Sequence, residues 1–247
     1  MARSIYIASP NAGTGKSTVA LGLVSCLTKV VAKVGVFRPF VESREGDAFL
    51  SLLLNRAGST TPAEQCVGAT WDEFHADPEE ALARIVDAYR ALAREHDVVI
   101  IDGSDFTDVA GNPELALNAR VAANIGVPVL LVVSGQNDVE DVVASVEVSM
   151  AEIADNHART VAVVANKCLP ETRQAVGEAL TAIEGITSTT LPEVPLLAAP
   201  VVREVLDAVE GTLIAGDETL LDREAESVLV CAMDVSHVLE RLTAGPL

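Results

Sequence analysis

Aromatic residues are scarce in this chain: Phe, Trp and Tyr together make up 3% of it, with a single Trp. A core cannot then rest on stacked rings. It must come from aliphatic side chains on helices and parallel strands, which the 49% hydrophobic fraction supplies. Basic residues are outnumbered, 17 Lys and Arg against 36 Asp and Glu, for a formal net charge of −19. That deficit argues against a nucleic-acid partner, because phosphate backbones are bound by clustered cations that release counterions. It also disfavours an anionic membrane surface, and reads as a solvated, self-repelling exterior. Cys26, Cys66, Cys168 and Cys231 stand far apart with no pair at metal-ligand spacing, so buried reduced thiols are expected. His75, His96, His157 and His237 are equally scattered, and no Ser, His and acid arrangement marks a nucleophile. No apolar run reaches the length of a membrane span, and no cationic-then-apolar leader precedes the first strand. A cytoplasmic location, with no membrane partner, is therefore expected.

What is present is a rhythm of strands and helices. A β-branched run at residues 4–8 leads through a small-residue loop into an apolar-periodic helix over 17–31, then a strand over 34–40 ending at Arg38-Pro39. Apolar spacing predicts a helix over 47–57 closed by Gly58, and residues 59–78 read as loops with at most one short element. Asp77-Pro78 marks a helix start, with Asp77 as cap. The run Asp97 to Asp102 is the clearest strand, and its continuous apolarity predicts cover on both faces. Helices near 113–125, 139–154 and 171–184 alternate with strands at 127–133 and 160–165, a further short strand is expected near 194–198, and a helix over 201–209 follows. This alternation predicts an α/β fold with a doubly wound, mostly parallel sheet over residues 1–212. From Leu213 the character changes, with a strand over 227–232 and a helix over 235–242, read as the start of a second, small domain over 213–247.

The sharpest chemical signal is Ser9-Pro10-Asn11-Ala12-Gly13-Thr14-Gly15-Lys16-Ser17-Thr18, placed after a strand and opening a helix. There, backbone N–H groups converge on phosphate oxygens, the helix dipole adds positive potential, Lys16 reaches terminal phosphates, and the Ser17 hydroxyl can ligate Mg²⁺. Residues Asn11 to Thr18 are thus the candidate nucleotide or phosphate site, with ATP or another nucleotide plus Mg²⁺ as the expected cofactors. Pro10 stands where the usual pattern of such loops has Gly, so a βα turn that binds nothing remains an open alternative. Asp102, at its strand's carboxyl end, is the candidate second Mg²⁺ ligand, and Asp105 another; a plain turn cap is the competing reading. Asn166-Lys167 is placed to meet a purine, since an amide offers both donor and acceptor, although an Asn in a turn is as good an account. Arg38 could meet an anion in the same crevice, as open α/β sheets bind ligands at strand carboxyl ends.

The opening residues 3–9, the run GTGKSTVALGL and Val36 to Phe40 resemble the start of the large phosphate acetyltransferases. The tail Ala225 to Met233, with His237 to Leu242 and Ala244 to Leu247, resembles the lead-in to that family's middle domain. The resemblance implies a three-part parent: an amino-terminal domain similar in fold to dethiobiotin synthetase, a small middle domain named for a DRTGG motif, and a carboxyl-terminal catalytic domain. The parent moves acetyl between coenzyme A and phosphate. Its catalytic residues lie in the last part, so none is assigned here, and this chain is expected to be a front piece that senses small phosphorylated metabolites or nucleotides. The implied partners are that catalytic domain and further copies in a homo-oligomer. Two alternatives stand beside it. One is a free-standing ATP-dependent ligase resembling dethiobiotin synthetase, against which Arg38 replaces that family's Lys and Asp102-Gly103-Ser104-Asp105 its glycine-rich run. The other is an interaction module with a degenerate loop.

Overall fold

A computed structural model of the chain describes residues 2–104, 114–225 and 232–241. Two compact units divide it at 193/194, earlier than the change of character read at 213. The first unit holds β1 (Arg3–Ala8), α1 (Lys16–Leu27), β2 (Val34–Val41), α2 (Ala48–Ala57), β3 (Val67–Thr70), α3 (Trp71–Ala76), α4 (Pro78–Glu95), β4 (Val98–Asp102), α5 (Glu114–Ile125), β5 (Val129–Ser134), α6 (Val139–Asp155), β6 (Thr160–Cys168), α7 (Arg173–Thr181) and β7 (Thr187–Pro192). Its sheet has seven strands in the order β3-β2-β4-β1-β5-β6-β7, and every described pairing is parallel. The second unit, described by itself, holds α8 (Val202–Ala208) and α9 (Val235–Arg241), with an antiparallel bridge between Val201 and Glu224. No helix among the described residues is long and apolar enough to cross a membrane.

The central strands are buried as continuous apolar runs: Val99, Ile100 and Ile101 of β4 and Val129, Leu131 and Val132 of β5 have no exposed surface. Helices on both faces are the only way a parallel sheet can hide such strands. Local signals set the helix starts. The Asp77 carboxylate accepts from Glu79 N and Glu80 N ahead of α4, and the Asp47 carboxylate accepts from Leu50 N at 2.8 Å ahead of α2. Gly58 closes α2 in the left-handed conformation.

Several expectations are corrected. The stretch 59–78 contains edge strand β3 and helix α3, started by a Thr70–Glu73 capping box. A strand of four residues is too short to show a period, which is why it reads as loop. The late strand lies at Thr187–Pro192, while Pro195–Ala198 forms a 3₁₀ turn. On this sheet edge Thr187 and Thr189 are exposed and Ser188 and Thr190 half-buried, so hydrophobicity alone misses it. Helix α1 ends at Leu27, short of Val31. Strand β6 runs to Cys168, so Asn166 and Lys167 lie within it, at a register shift against β7. Asp105 and most of the strand expected over 227–232 fall outside the described residues.

Candidate functional site

In a parallel sheet all carboxyl ends open on one side, and the loops leaving β1, β2, β4 and β6 meet there. The loop after β1 turns through Gly13 at φ +75° and Gly15 at φ +78°, the left-handed region that an L side chain resists. Gly15 has a second reason to lack a side chain: a Cβ there would stand 2.3 Å from Asn166 Nδ2. Asn11, Ala12, Gly13 and Thr18 are exposed, Ser17 is half-buried, and Thr14 is buried.

β6 braces this loop. Asn166, itself buried, donates from Nδ2 to Thr14 O at 2.8 Å, and Lys167 donates from Nζ to Gly13 O at 2.7 Å. Both partners are backbone carbonyls, so the two bonds tie the loop to β6 without using its N–H groups. The Asn166 amide, expected at a base edge, is engaged on the loop itself, and Lys167 adopts φ +60° to reach it.

Lys16 points inward. Its ammonium lies 2.8 Å from Asp102 Oδ1 and donates also to Gly103 O, with 1% of the Lys16 side chain and none of the Asp102 side chain exposed. Asp102 Oδ2 faces Arg38 Nε at 3.5 Å, too long for a hydrogen bond, so both atoms are buried without one. Arg38 reaches on to Asp47 through Nη1, and its guanidinium stands 5.8 Å from the Phe49 ring centre. Lys16, Asp102, Arg38 and Asp47 thus form a row of alternating charge from the first turn of α1 to the cap of α2.

Beneath that row Tyr6 Oη donates to Asn118 Oδ1 at 2.6 Å, and the same oxygen accepts from Ser104 N at 3.0 Å. This pins the turn that carries Gly103. Burial, reinforced by the Asp102 and Glu114 carboxylates, pushes the Tyr6 phenol well above its usual range, so it serves as a fixed donor. Of these supporting groups, Asp47 was visible in the sequence as a residue opening an apolar helix, whereas Gly103 O and Asn118 carry no local signal. The described residues contain no group of three or more His, Cys, Asp or Glu that could hold a metal.

A family profile described as an AAA domain matches residues 3–206. The chain belongs to that family. Among curated relatives of this AAA-domain chain, the phosphate acetyltransferase of Nitratidesulfovibrio vulgaris is 25% identical over 261 residues, covering 99% of this chain and 37% of its own length. That of Synechocystis is 25% identical over 254 residues, covering 98% of this chain and 36% of its own length. The chain therefore spans little more than a third of these relatives. Among solved structures, a protein of Borrelia burgdorferi assigned to plasmid partition, with AMPPNP bound, superposes with a TM-score of 0.55 at 14% identity over 89% of this chain and 94% of that one. The fold is that of the P-loop nucleotide-binding proteins.

Proposed function

We propose that this chain is a phosphate-binding, nucleotide- or metabolite-sensing module of a phosphate acetyltransferase, and that acetyl transfer is performed by a part of the parent protein outside it. The observation that carries the reading is the loop of residues 11–18: left-handed Gly13 and Gly15 turn it at the carboxyl end of β1, and Lys16 opens α1 directly behind. Backbone N–H groups before a helix start are an anion site, and a lysine there supplies the counter-charge. The relatives named phosphate acetyltransferase and the AMPPNP carried by a protein of the same fold support the two halves of the proposal. Assembly with the catalytic part and with further copies, in the cytoplasm, belongs to the same reading.

The donor set fits Mg²⁺ as the companion ion. Asp102 and the Ser17 hydroxyl are hard oxygen ligands, and Asp102 Oδ2 is a buried atom without a hydrogen bond. When bound, the ion would screen phosphate charge. The chain's own step is an exchange of partners. Lys16 leaves Asp102 for the phosphate, and Asp102, released, is free to accept a cation; Arg38 remains beside it. Both charges of a buried pair find new partners together, so neither is stranded.

Calorimetric titration of Mg·ATP into wild type and Lys16→Ala tests the binding half: heat in wild type, reduced at least about tenfold in affinity by the variant, is expected. Equal heats, or none in either protein, would remove it. Acetyl phosphate formation assayed with this chain alone should be absent; turnover would overturn the division of labour.

A further inference from the structure

A second cleft, of about 420 Å³, opens at the other end of the sheet from the loop, where β2 and β4 begin and where α2 and α4 end. Lys33, Arg94 and His96 line it together with the hydroxyl-bearing run Ser59, Thr60 and Thr61. In a chain with 36 acidic and 17 basic residues, a cleft with this many cationic and hydroxyl groups goes against the general surface. The side chains of Lys33 and Arg94 form no ion pair or hydrogen bond among the described residues, while carboxylates stand nearby: Glu95 lines the cleft and Asp97 Oδ2 accepts from Lys33 N at 3.2 Å.

His96 is seated there with some care. Its Nδ1 lies 2.9 Å from Leu92 O, which fixes the proton on that nitrogen and turns Nε2 toward Thr61 Oγ1, 3.5 Å away. The ring occupies the space above Gly35 in the interior of β2, where a Cβ would stand 2.9 Å from His96 Cγ. Glycine weakens a strand interior and marks a place where something must approach closely. Here it is the imidazole.

The same cleft carries acceptors. Glu95 lines it, and the carboxyl-terminal turn of α4 directs its last carbonyls toward the helix end. A bare anion would meet both cations and these negative groups. A molecule with an anionic head and several hydroxyl donors satisfies every part. We propose that this cleft is a second small-molecule site, and that its ligand is a sugar phosphate: phosphate on Lys33 and Arg94, hydroxyls on His96 Nε2, Glu95 and the helix-end carbonyls. Its volume suits a molecule of that size. The inference stands apart from the reading of the loop, since the two sites share no residue.

The test follows the His96 ring by NMR of the full chain during titration with ribose 5-phosphate, assigned through His96→Asn. A saturating shift of the His96 signal is expected, weakened about tenfold or more in Lys33→Ser/Arg94→Ser, whose exposed positions leave folding intact. Inorganic phosphate and ribose, titrated separately, should each bind at least about tenfold more weakly. An unmoved His96 signal, an unchanged affinity in the double variant, or inorganic phosphate binding as tightly as the sugar phosphate would each overturn the proposal.

Discussion

Lys16 and Asp102 form a fully buried ion pair, 2.8 Å apart and 86 residues apart in sequence, joining the first turn of α1 to the end of β4. Taking both charges out of water is costly, and what makes it tolerable is the attraction at short range together with the Gly103 carbonyl. Removing Lys16 leaves the buried Asp102 carboxylate with only the longer contact to Arg38. Lys16→Ala should therefore lose about 3 to 5 kcal/mol in equilibrium urea unfolding. Lys16→Ala/Asp102→Ala should recover much of that, because no charge is left unpaired. A single variant as stable as wild type would show the pair to be open in solution.

Exchange of partners makes a sharper statement about metal dependence. In wild type, ATP alone has to pull Lys16 from Asp102 and leave the buried carboxylate with only the longer contact to Arg38, so Mg²⁺ should strengthen binding at least about tenfold. Asp102→Asn removes the holding charge and the metal ligand together. The variant should bind metal-free ATP at least as tightly as wild type does, with no further gain from Mg²⁺. Isothermal titrations with and without EDTA decide it, and an undiminished Mg²⁺ effect in the variant would refute the exchange.

Gly13 and Gly15 separate two kinds of strain. Both have positive φ, but a Cβ on Gly13 meets nothing within 4 Å, whereas on Gly15 it lands 2.3 Å from Asn166 Nδ2. Gly13→Ala should then cost only the conformational penalty, about 1 to 2 kcal/mol. Gly15→Ala should cost more, and Asn166→Ala in the same chain should relieve the excess. Thermal unfolding of wild type, Gly15→Ala, Asn166→Ala and Gly15→Ala/Asn166→Ala forms the required cycle, with Gly13→Ala measured beside it.

The parts of this architecture that read directly from the sequence are those encoded by local rules. The apolar run of β4, the Asp77-Pro78 start of α4, Asp47 ahead of α2 and the loop before α1 each carry a periodicity or a cap within a few residues. What escaped depends on partners distant in the chain. Strand β3 is a strand because β2 lies beside it, and β7 because β6 does, and neither has enough apolar surface to announce itself. At the site the residue types were visible, while their pairing was not. No local rule turns Lys16 inward to Asp102, or commits the Asn166 amide to Thr14 O across 152 residues.

Acid should expose a smaller feature of the same unit. Glu73 completes the capping box of α3, accepting from Thr70 N at 2.8 Å and from Arg44 Nη2 at 2.8 Å. The Thr70 N–H, aided by Arg44 and opposed by partial desolvation, holds its carboxyl below the ordinary 4.5. The folded chain then binds fewer protons than the unfolded one in that range. The contribution is present above pH 4.5 and disappears as pH falls through the lower, folded value. Glu73→Gln cannot titrate, so its stability relative to wild type should improve as the pH is lowered from neutrality to below 4.5. Urea unfolding of both proteins across that window measures the convergence, and a constant difference would mean that the carboxylate's bonds to Thr70 and Arg44 do not form in solution.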